Sequence, residues 1–249
     1  IPQPLIFARS LFQKLNSWNM SRDYCSWDGV ICDEMTGHVI ELDLSCSNLA
    51  GTIDSNSSLF QLSHLQRLDL SLNNFSDSHI SPEFGKFSSL THLDLSDSNF
   101  SGLIPCEISH LPSCSLLVSM VHYVFHQIPQ HSSSYPIIIS VKKFLHITLL
   151  VILDLARNNL RRQIPPCLEK LLPSKFWNNN LSGNIPTTFS NKSSLSSLNL
   201  HGNKLGGKIP QSLANCKNIQ ILDLGNNNLN HTFCYINKRF HLLVSDKSS

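Results

Sequence analysis

His122 and His126 stand four residues apart, a spacing that puts two imidazoles on one helical face where they can share a metal ion. No Glu and no third ligand completes an HExxH arrangement around them, so no metal and no other cofactor is expected. The eight cysteines include no CxxC pair and no Cys/His cluster of zinc-finger spacing, which leaves disulfides or buried thiols as their roles. Cys25 and Cys32 bracket "CSWDGVIC", a loop short enough for a disulfide to close, and such a bond implies an oxidising compartment. Cys106, Cys114 and Cys234 have no evident partner, while Cys46, Cys167 and Cys216 lie at apolar or turn positions and read as buried thiols. A GxSxG elbow, a phosphate-cradling glycine loop and a kinase set are all missing, and no acid, base and nucleophile gather at a useful spacing. The chain reads as one that binds rather than catalyses.

A different chemical signal recurs. Asn-x-Ser/Thr acceptors stand at Asn19, Asn56, Asn74, Asn99, Asn180, Asn191 and Asn230, as suits a secreted glycoprotein, and a chain this rich in Asn and Ser also generates several by chance. The 41% hydrophobic content supports a sizeable core, and the 14% charged fraction argues against disorder. The net charge of +2 comes from scattered Lys and Arg rather than a basic stripe, so nucleic acid is not an expected partner. "IPQPLIFARS" is too short and too broken by proline for a signal peptide, and the reading is that the chain begins after one. "YPIIISVKKFLHITLLVIL" is interrupted by Lys142, Lys143 and His146, so membrane attachment is expected only through an anchor not present in this chain.

The elements that carry these residues follow from a repeat. "LQRLDLSLNNF" begins at Leu65, "LTHLDLSDSNF" at Leu90, "LVILDLARNNL" at Leu150, "LSSLNLHGNKL" at Leu195 and "IQILDLGNNNL" at Ile219, with a first copy, "VIELDLSCSNL", at Val39. Intact neighbours step by 25 residues from Leu65 to Leu90 and by 24 from Leu195 to Ile219, the period of a leucine-rich repeat. Alternation puts Leu68 and Leu70 inside and Asp69 and Ser71 outside, each turn adding one strand to a long parallel sheet. One turn cannot bury its own apolar face, so stability comes from stacking. The Asn column (Asn73, Asn158, Asn179, Asn203, Asn227) is read as scaffold, pairing backbone groups of adjacent turns. Gly102, Gly183 and Gly207 permit tight backbone, and the Ile-Pro pairs that follow fix an extended segment.

The fold class expected is an α/β solenoid, a right-handed superhelix with a parallel concave sheet and an N-terminal cap. Residues 1–36 form the cap, with Leu11, Phe12, Leu15 and Trp18 at helical spacing; repeats one to three fill 37–112 and further repeats fill 150–232. The step from Ser98, at an Asn position, to Asn158 is too long for one turn, and 113–149 reads as an irregular segment with a decayed repeat centred on His122. The strand of "SKFWNNNLSGNIP" is expected to be poor. Residues 233–249 read as a tail outside the repeat whose carboxyl end looks cut.

"SGLIP", "SGNIP" and "GGKIP" resemble the LxGxIP signature of plant extracellular leucine-rich repeats, and "CSWDGVICDEMTGHVIELDL" resembles the cap of plant receptor-like proteins. "SNSSLFQLSHLQRLDLSLNNF" and "LHGNKLGGKIPQSLANCKNIQILDLGNNNLNHTF" are similar to the Cf-type disease-resistance members. The resemblance implies a glycosylated cell-surface ectodomain that detects a peptide or protein ligand in plant defence and signals through a receptor-kinase co-receptor. Family caps carry a double Cys before the Trp, whereas Tyr24 stands beside Cys25 here. Family ectodomains also hold many more repeats, so the resemblance implies either a shortened, internally deleted paralogue or an imperfect gene model.

Solvent-facing positions of the concave strands are where a ligand surface is expected: Gln66, Arg67, Asp69, Ser71 and Leu72, then Thr91, His92, Asp94 and Asp97, then Arg157, Ser197, His201, Gln220 and Asn226. Turns about 5 Å apart make this a ledge of roughly 30 to 35 Å. Two alternatives stay open at this point. One is a secreted inhibitor resembling the polygalacturonase-inhibiting proteins, and the other is a non-functional fragment unable to stack across 113–149.

Overall fold

The computed structural model describes residues 18–76, 78–110, 152–167, 174–190, 195–230 and 241–243. The helix expected around Leu11 falls outside them, apart from Trp18. The cap that is described opens with a short 3-10 turn, Tyr24–Ser26, whose Asp23 side chain accepts from the Cys25 amide. Strand β1 (Val30–Cys32) then pairs antiparallel with β2 (Val39–Asp43). The Cys25–Cys32 disulfide forms with Cα atoms 5.6 Å apart. Trp18 stacks on the buried Trp27 with ring centroids 4.9 Å apart. Tyr24, which stands beside Cys25, donates its hydroxyl to the Gly37 carbonyl at 3.0 Å.

From β2 onward each turn contributes one short strand to a nine-stranded sheet: β3 (Arg67–Asp69), β4 (His92–Asp94), β6 (Ile152–Asp154), β8 (Ser174–Lys175), β10 (Ser197–Asn199), β12 (Ile221–Asp223) and β14 (His241–Leu243). All pairs after β1 are parallel, with Leu42, Leu68, Leu93, Leu153, Ser174, Leu198 and Leu222 on one rung line. Each leucine of that line is buried, and burial of a full leucine side chain stabilises by about 1.5 to 3 kcal/mol. Ser174 takes the leucine place in β8, which has two residues, so the weak strand expected there is present and short. The tail expected to lie outside the repeat is corrected in part: β14 pairs with β12, Leu242 opposite Leu222, and adds a further rung.

Five residues beyond each rung comes the polar column. Asn158 Nδ2 donates to the carbonyls of Leu95, Leu155 and Ala156, and its Oδ1 accepts from the Phe100 and Ser98 amides. Asn73, Asn179, Asn203 and Asn227 repeat the pattern, each reaching the turn before its own. Ser98 does the same job with a single hydroxyl, donating to the Leu70 carbonyl at 2.7 Å. The bend is thus satisfied between turns, because a carbonyl buried there without a partner costs about 1–3 kcal/mol.

A second sheet was not foreseen. The LxGxIP segments pair in parallel as β5 (Ser101–Gly102), β7 (Asn159–Arg162), β9 (Asn180–Asn184), β11 (Lys204–Lys208) and β13 (Asn228–Asn230). The solenoid expected is present, and among the described residues its turns close with 3-10 segments, such as Ser58–Gln61, Pro82–Lys86 and Gln211–Asn215, and with no α-helix. Each buries one apolar side chain, Leu59, Phe84 and Leu213 respectively. A Cβ at Gly85 would strike the Glu107 carbonyl of the next turn, so the stacking is close enough to require glycine there.

The sheet passes directly from β4 to β6: His92 faces Ile152, Leu93 faces Leu153 and Asp94 faces Asp154. Among the described residues no strand therefore stands between them, and the turns on either side of 113–149 stack directly, while the decayed turn expected around His122 lies outside the described residues. Cys106 and Cys167, read as unpaired and as a buried thiol, instead form a disulfide across these two turns, with Cα atoms 5.9 Å apart. Cys46 is exposed rather than buried, and Cys216 is a buried thiol as expected. Cys114, Cys234, His122 and His126 lie outside the described residues.

Ile104 aligns with Ile209, and Leu150 with Ile219, once 36 residues are taken out of the first interval. A variant lacking 114–149 is expected to keep its far-ultraviolet circular dichroism and a cooperative melt within about 3 °C of the parent, a shift of no more than about 1 kcal/mol. Loss of the transition would contradict the direct β4–β6 contact. Asn158→Ala strands carbonyls of two turns and is expected to cost about 3 kcal/mol, lowering Tm by about 6–12 °C. A drop below about 2 °C would remove the column from its structural role.

Candidate functional site

The face of the long sheet turned away from the leucines carries two side-chain columns. One holds Glu41, Arg67, His92, Ile152, Ser197 and Ile221, and the other Asp43, Asp69, Asp94, Asp154, Lys175, Asn199 and Asp223. Of the residues expected on this face, Gln66, Arg67, Arg157, Gln220, Asn226 and Leu72 are exposed, and Asp69, Thr91, His92, Asp94, Asp97, Ser197 and His201 are half-buried. Ser71 is a correction. It is buried, because the chain turns in toward the Asn column after Asp69, and its carbonyl accepts from Asn73 Nδ2. Thr91 is partly committed as well, its hydroxyl donating to the Gln66 carbonyl at 2.9 Å.

The acidic column has a local task. One oxygen of each carboxylate accepts from the amide two residues on: Asp43 from Ser45, Asp69 from Ser71, Asp94 from Ser96, Asp154 from Ala156 and Asp223 from Gly225. Asn199 does the same for His201 at 3.0 Å. The cap therefore needs an oxygen and not a charge. Burial holds the Asp94 carboxyl above its ordinary range, with the Asp154 and Asp69 charges on either side adding to it, against the Ser96 hydrogen bonds that pull it down. Lys175 Nζ reaches Asp154 Oδ2 at 2.8 Å, and that hydrogen bond raises the lysine. His92 is pushed down, first by burial and then by the Arg67 charge, so it is neutral at pH 7.

Past the strands, the backbone at Cys46, Leu72, Asp97, Arg157, Asn178, Gly202 and Asn226 is left-handed, at the same place in each turn. Asn, Asp and Gly suit that conformation; Leu72 and Arg157 do not, yet both project into solvent. Arg157 Nε lies 3.5 Å from Asp97 Oδ2, and the guanidinium sits over Trp177, 4.5 Å from the ring centroid. His201 Nδ1 meets Asp223 Oδ1 at 3.3 Å, while Asn226 Nδ2 lies 3.0 Å from Nε2, joining two turns through one imidazole.

Trp177, Lys175, Ile152 and Ile221 are also on this surface and were missed. The available signal was the Asn column: counting back five residues from Asn179 finds the β8 rung at Ser174, which the missing leucines hide. Of the glycan acceptors, Asn19, Asn56, Asn74, Asn99 and Asn230 are exposed and Asn180 is half-buried, while Asn191 is outside the described residues. Asn74 and Asn99 lie on neighbouring turns, joined side chain to side chain at 3.1 Å. Among the described residues no cluster of His, Cys, Asp and Glu is arranged to hold a metal ion, and no helix is long and apolar enough to cross a membrane.

A coil of stacked turns, most giving one rung of buried leucine and one inward-turned Asn, is a leucine-rich-repeat solenoid. The leucine-rich-repeat model matches residues 64–87, 89–111, 149–171 and 194–216, and the leucine-rich-repeat N-terminal domain matches 5–33. Receptor-like protein 9DC1 of Solanum pimpinellifolium is 43% identical over 206 residues, 74% of this chain and 24% of that protein. A receptor-like protein Cf-9 homolog of Solanum lycopersicum is 53% identical over 111 residues, 45% of this chain and 12% of its own length. The solved plant peptide hormone receptor RGFR1, in complex with RGF2, shares 30% identity with a TM-score of 0.59, over 82% of this chain and 26% of that one. The chain belongs to the plant leucine-rich-repeat receptor-like proteins of Cf type, and it spans a quarter or less of the length of the curated relatives it matches.

The Asp94 environment fixes a sign. A carboxyl raised on folding contributes stability that is complete below its ordinary value of 3.8 and is lost as pH rises through the raised value. Asp94→Asn keeps the cap and removes the charge, so its Tm at pH 7 is expected to exceed the parent's by about 1–3 °C. The difference should close as pH falls through the folded-state value. A variant less stable at pH 7 would show the charge to be needed by the fold.

Proposed function

We propose that this chain is the ligand-recognising part of an extracellular receptor-like protein in plant defence, taking a peptide or protein segment across the open face of its long sheet. The supporting observation is that face itself: rungs in unbroken register place Arg67, Asp69, His92, Asp94, Arg157, Ser197, His201 and Asn226 along one continuous surface. The solved relative of the same fold binds a peptide hormone, and Cf-9 relatives connect the family to defence. On this reading the protein is not an enzyme and sits at the cell surface, through an anchor outside this chain, with a receptor-kinase co-receptor as its partner. The exposed asparagines, Asn56, Asn74 and Asn99 among them, would carry glycans beside the ledge and leave it open.

Interferometry with fractionated apoplastic peptides tests the reading. Binding is expected to fall at least about tenfold, about 1.4 kcal/mol, in an Arg67→Ala, His92→Ala, Arg157→Ala variant. Binding should persist when Lys204 and Lys208 of the second sheet are changed to Ala. Equal loss in both variants, or no binding by a folded sample, would count against it.

A further inference from the structure

The net charge of +2 conceals a steep partition. Residues 18–110 hold three Lys or Arg against thirteen Asp or Glu, whereas 151–249 hold twelve against four. The same division runs along the open face. Glu41, Asp43, Asp69 and Asp94 share its first three rungs with one basic residue, Arg67, and Asp97 follows them beside Arg157. Beyond them come the exposed Ile152 and Ile221 and the half-buried Trp177, with Asp154 neutralised by Lys175.

We infer that the occupant of this face is an extended peptide with a definite polarity, its Lys or Arg residues over β2–β4 and an apolar side chain at Ile152 and Trp177. This rests on the recognition role proposed above and narrows its ligand. The fold does not account for the acid: Asn199 caps its turn as well as any Asp of the column does, so the negative charge on the first rungs is surplus to the scaffold. That charge is also unfavourable as it stands, since parallel rungs hold like carboxylates about 5 Å apart, and Asp94 is half-buried between two of them. A bound cation relieves this where water does so only in part. Arg157 marks the boundary. It is paired to Asp97 on the acidic side and lies over Trp177 on the other, so the charged and apolar subsites adjoin. From the β3 rung to the β8 rung is three steps, about 14 Å, which an extended chain covers in about four residues.

The test uses synthetic peptides in which a run of Lys is separated by a Gly-Ser spacer of about four residues from Phe-Leu, a counterpart with Glu for Lys, and one without Phe-Leu. Fluorescence anisotropy is read at low and at near-physiological salt. The Lys peptide is expected to bind at least about tenfold more tightly than the Glu peptide, with an affinity that falls as salt rises. Asp69→Asn with Asp94→Asn should remove most of that preference and flatten the salt dependence in a protein that melts no lower than the parent. Trp177→Ala should weaken the Lys peptide without changing its salt dependence, to the level of the peptide lacking Phe-Leu. Equal binding of both signs leaves the recognition role standing and overturns the polarity. Binding by no peptide of any kind overturns both. Salt-sensitive self-association seen by light scattering, abolished by the same two Asp→Asn changes, assigns the acid to a second copy of the chain and overturns the inference.

Discussion

A polar side chain turned inward at each bend, most often an Asn amide, decides what the rest of this molecule can be. Each Asn of the column satisfies carbonyls on two successive turns and accepts from an amide of the earlier one, so it both closes its own turn and fixes the distance to its neighbour. Leucine burial supplies most of the free energy, but it is indifferent to register. The amide is not, because its donors and acceptor are directional and a shift of one residue leaves several buried groups without partners. Where the chain has Ser98 instead, the hydroxyl still reaches Leu70, and the coil continues with a reduced set of bonds.

Legibility followed that same division. The leucine alternation and the Asn spacing were plain in "LQRLDLSLNNF" and its copies because each turn must satisfy the same local demands. The Cys25–Cys32 bond was plain because its two ends are close in sequence. What was hidden depended on partners far apart along the chain. The Cys106–Cys167 bond joins residues 61 apart, and adjacency of Leu93 to Leu153 is settled by stacking rather than by distance along the chain. The second sheet was hidden for another reason. Its strands alternate weakly, their Gly and polar residues giving little apolar pattern, so Lys204–Lys208 shows its strand character only beside Asn180–Asn184.

The surface was legible in outline and not in detail. Alternation predicts which residues leave the core, and most of those named do. It cannot say that Ser71 turns back in, since that depends on a left-handed residue immediately after it at Leu72. Nor does it reveal that the same position in the turn is filled by Leu72, Arg157 or Gly202 with equal backbone geometry, so that the scaffold dictates the conformation and leaves the side chain open. The acid column shows the same separation, with Asn199 and the aspartates interchangeable as caps and different only toward solvent.

The direct contact of β4 with β6 has a consequence for how such coils change over time. The extra loop closure of a long interval grows only with the logarithm of its length, about 0.6 kcal/mol per doubling, and the Cys106–Cys167 bond holds the two adjoining turns together. A spring-shaped protein of this kind can accept a guest sequence at one bend while its binding ledge keeps the same pitch, so new appendages can be acquired, tried and discarded without redesigning what the receptor reads.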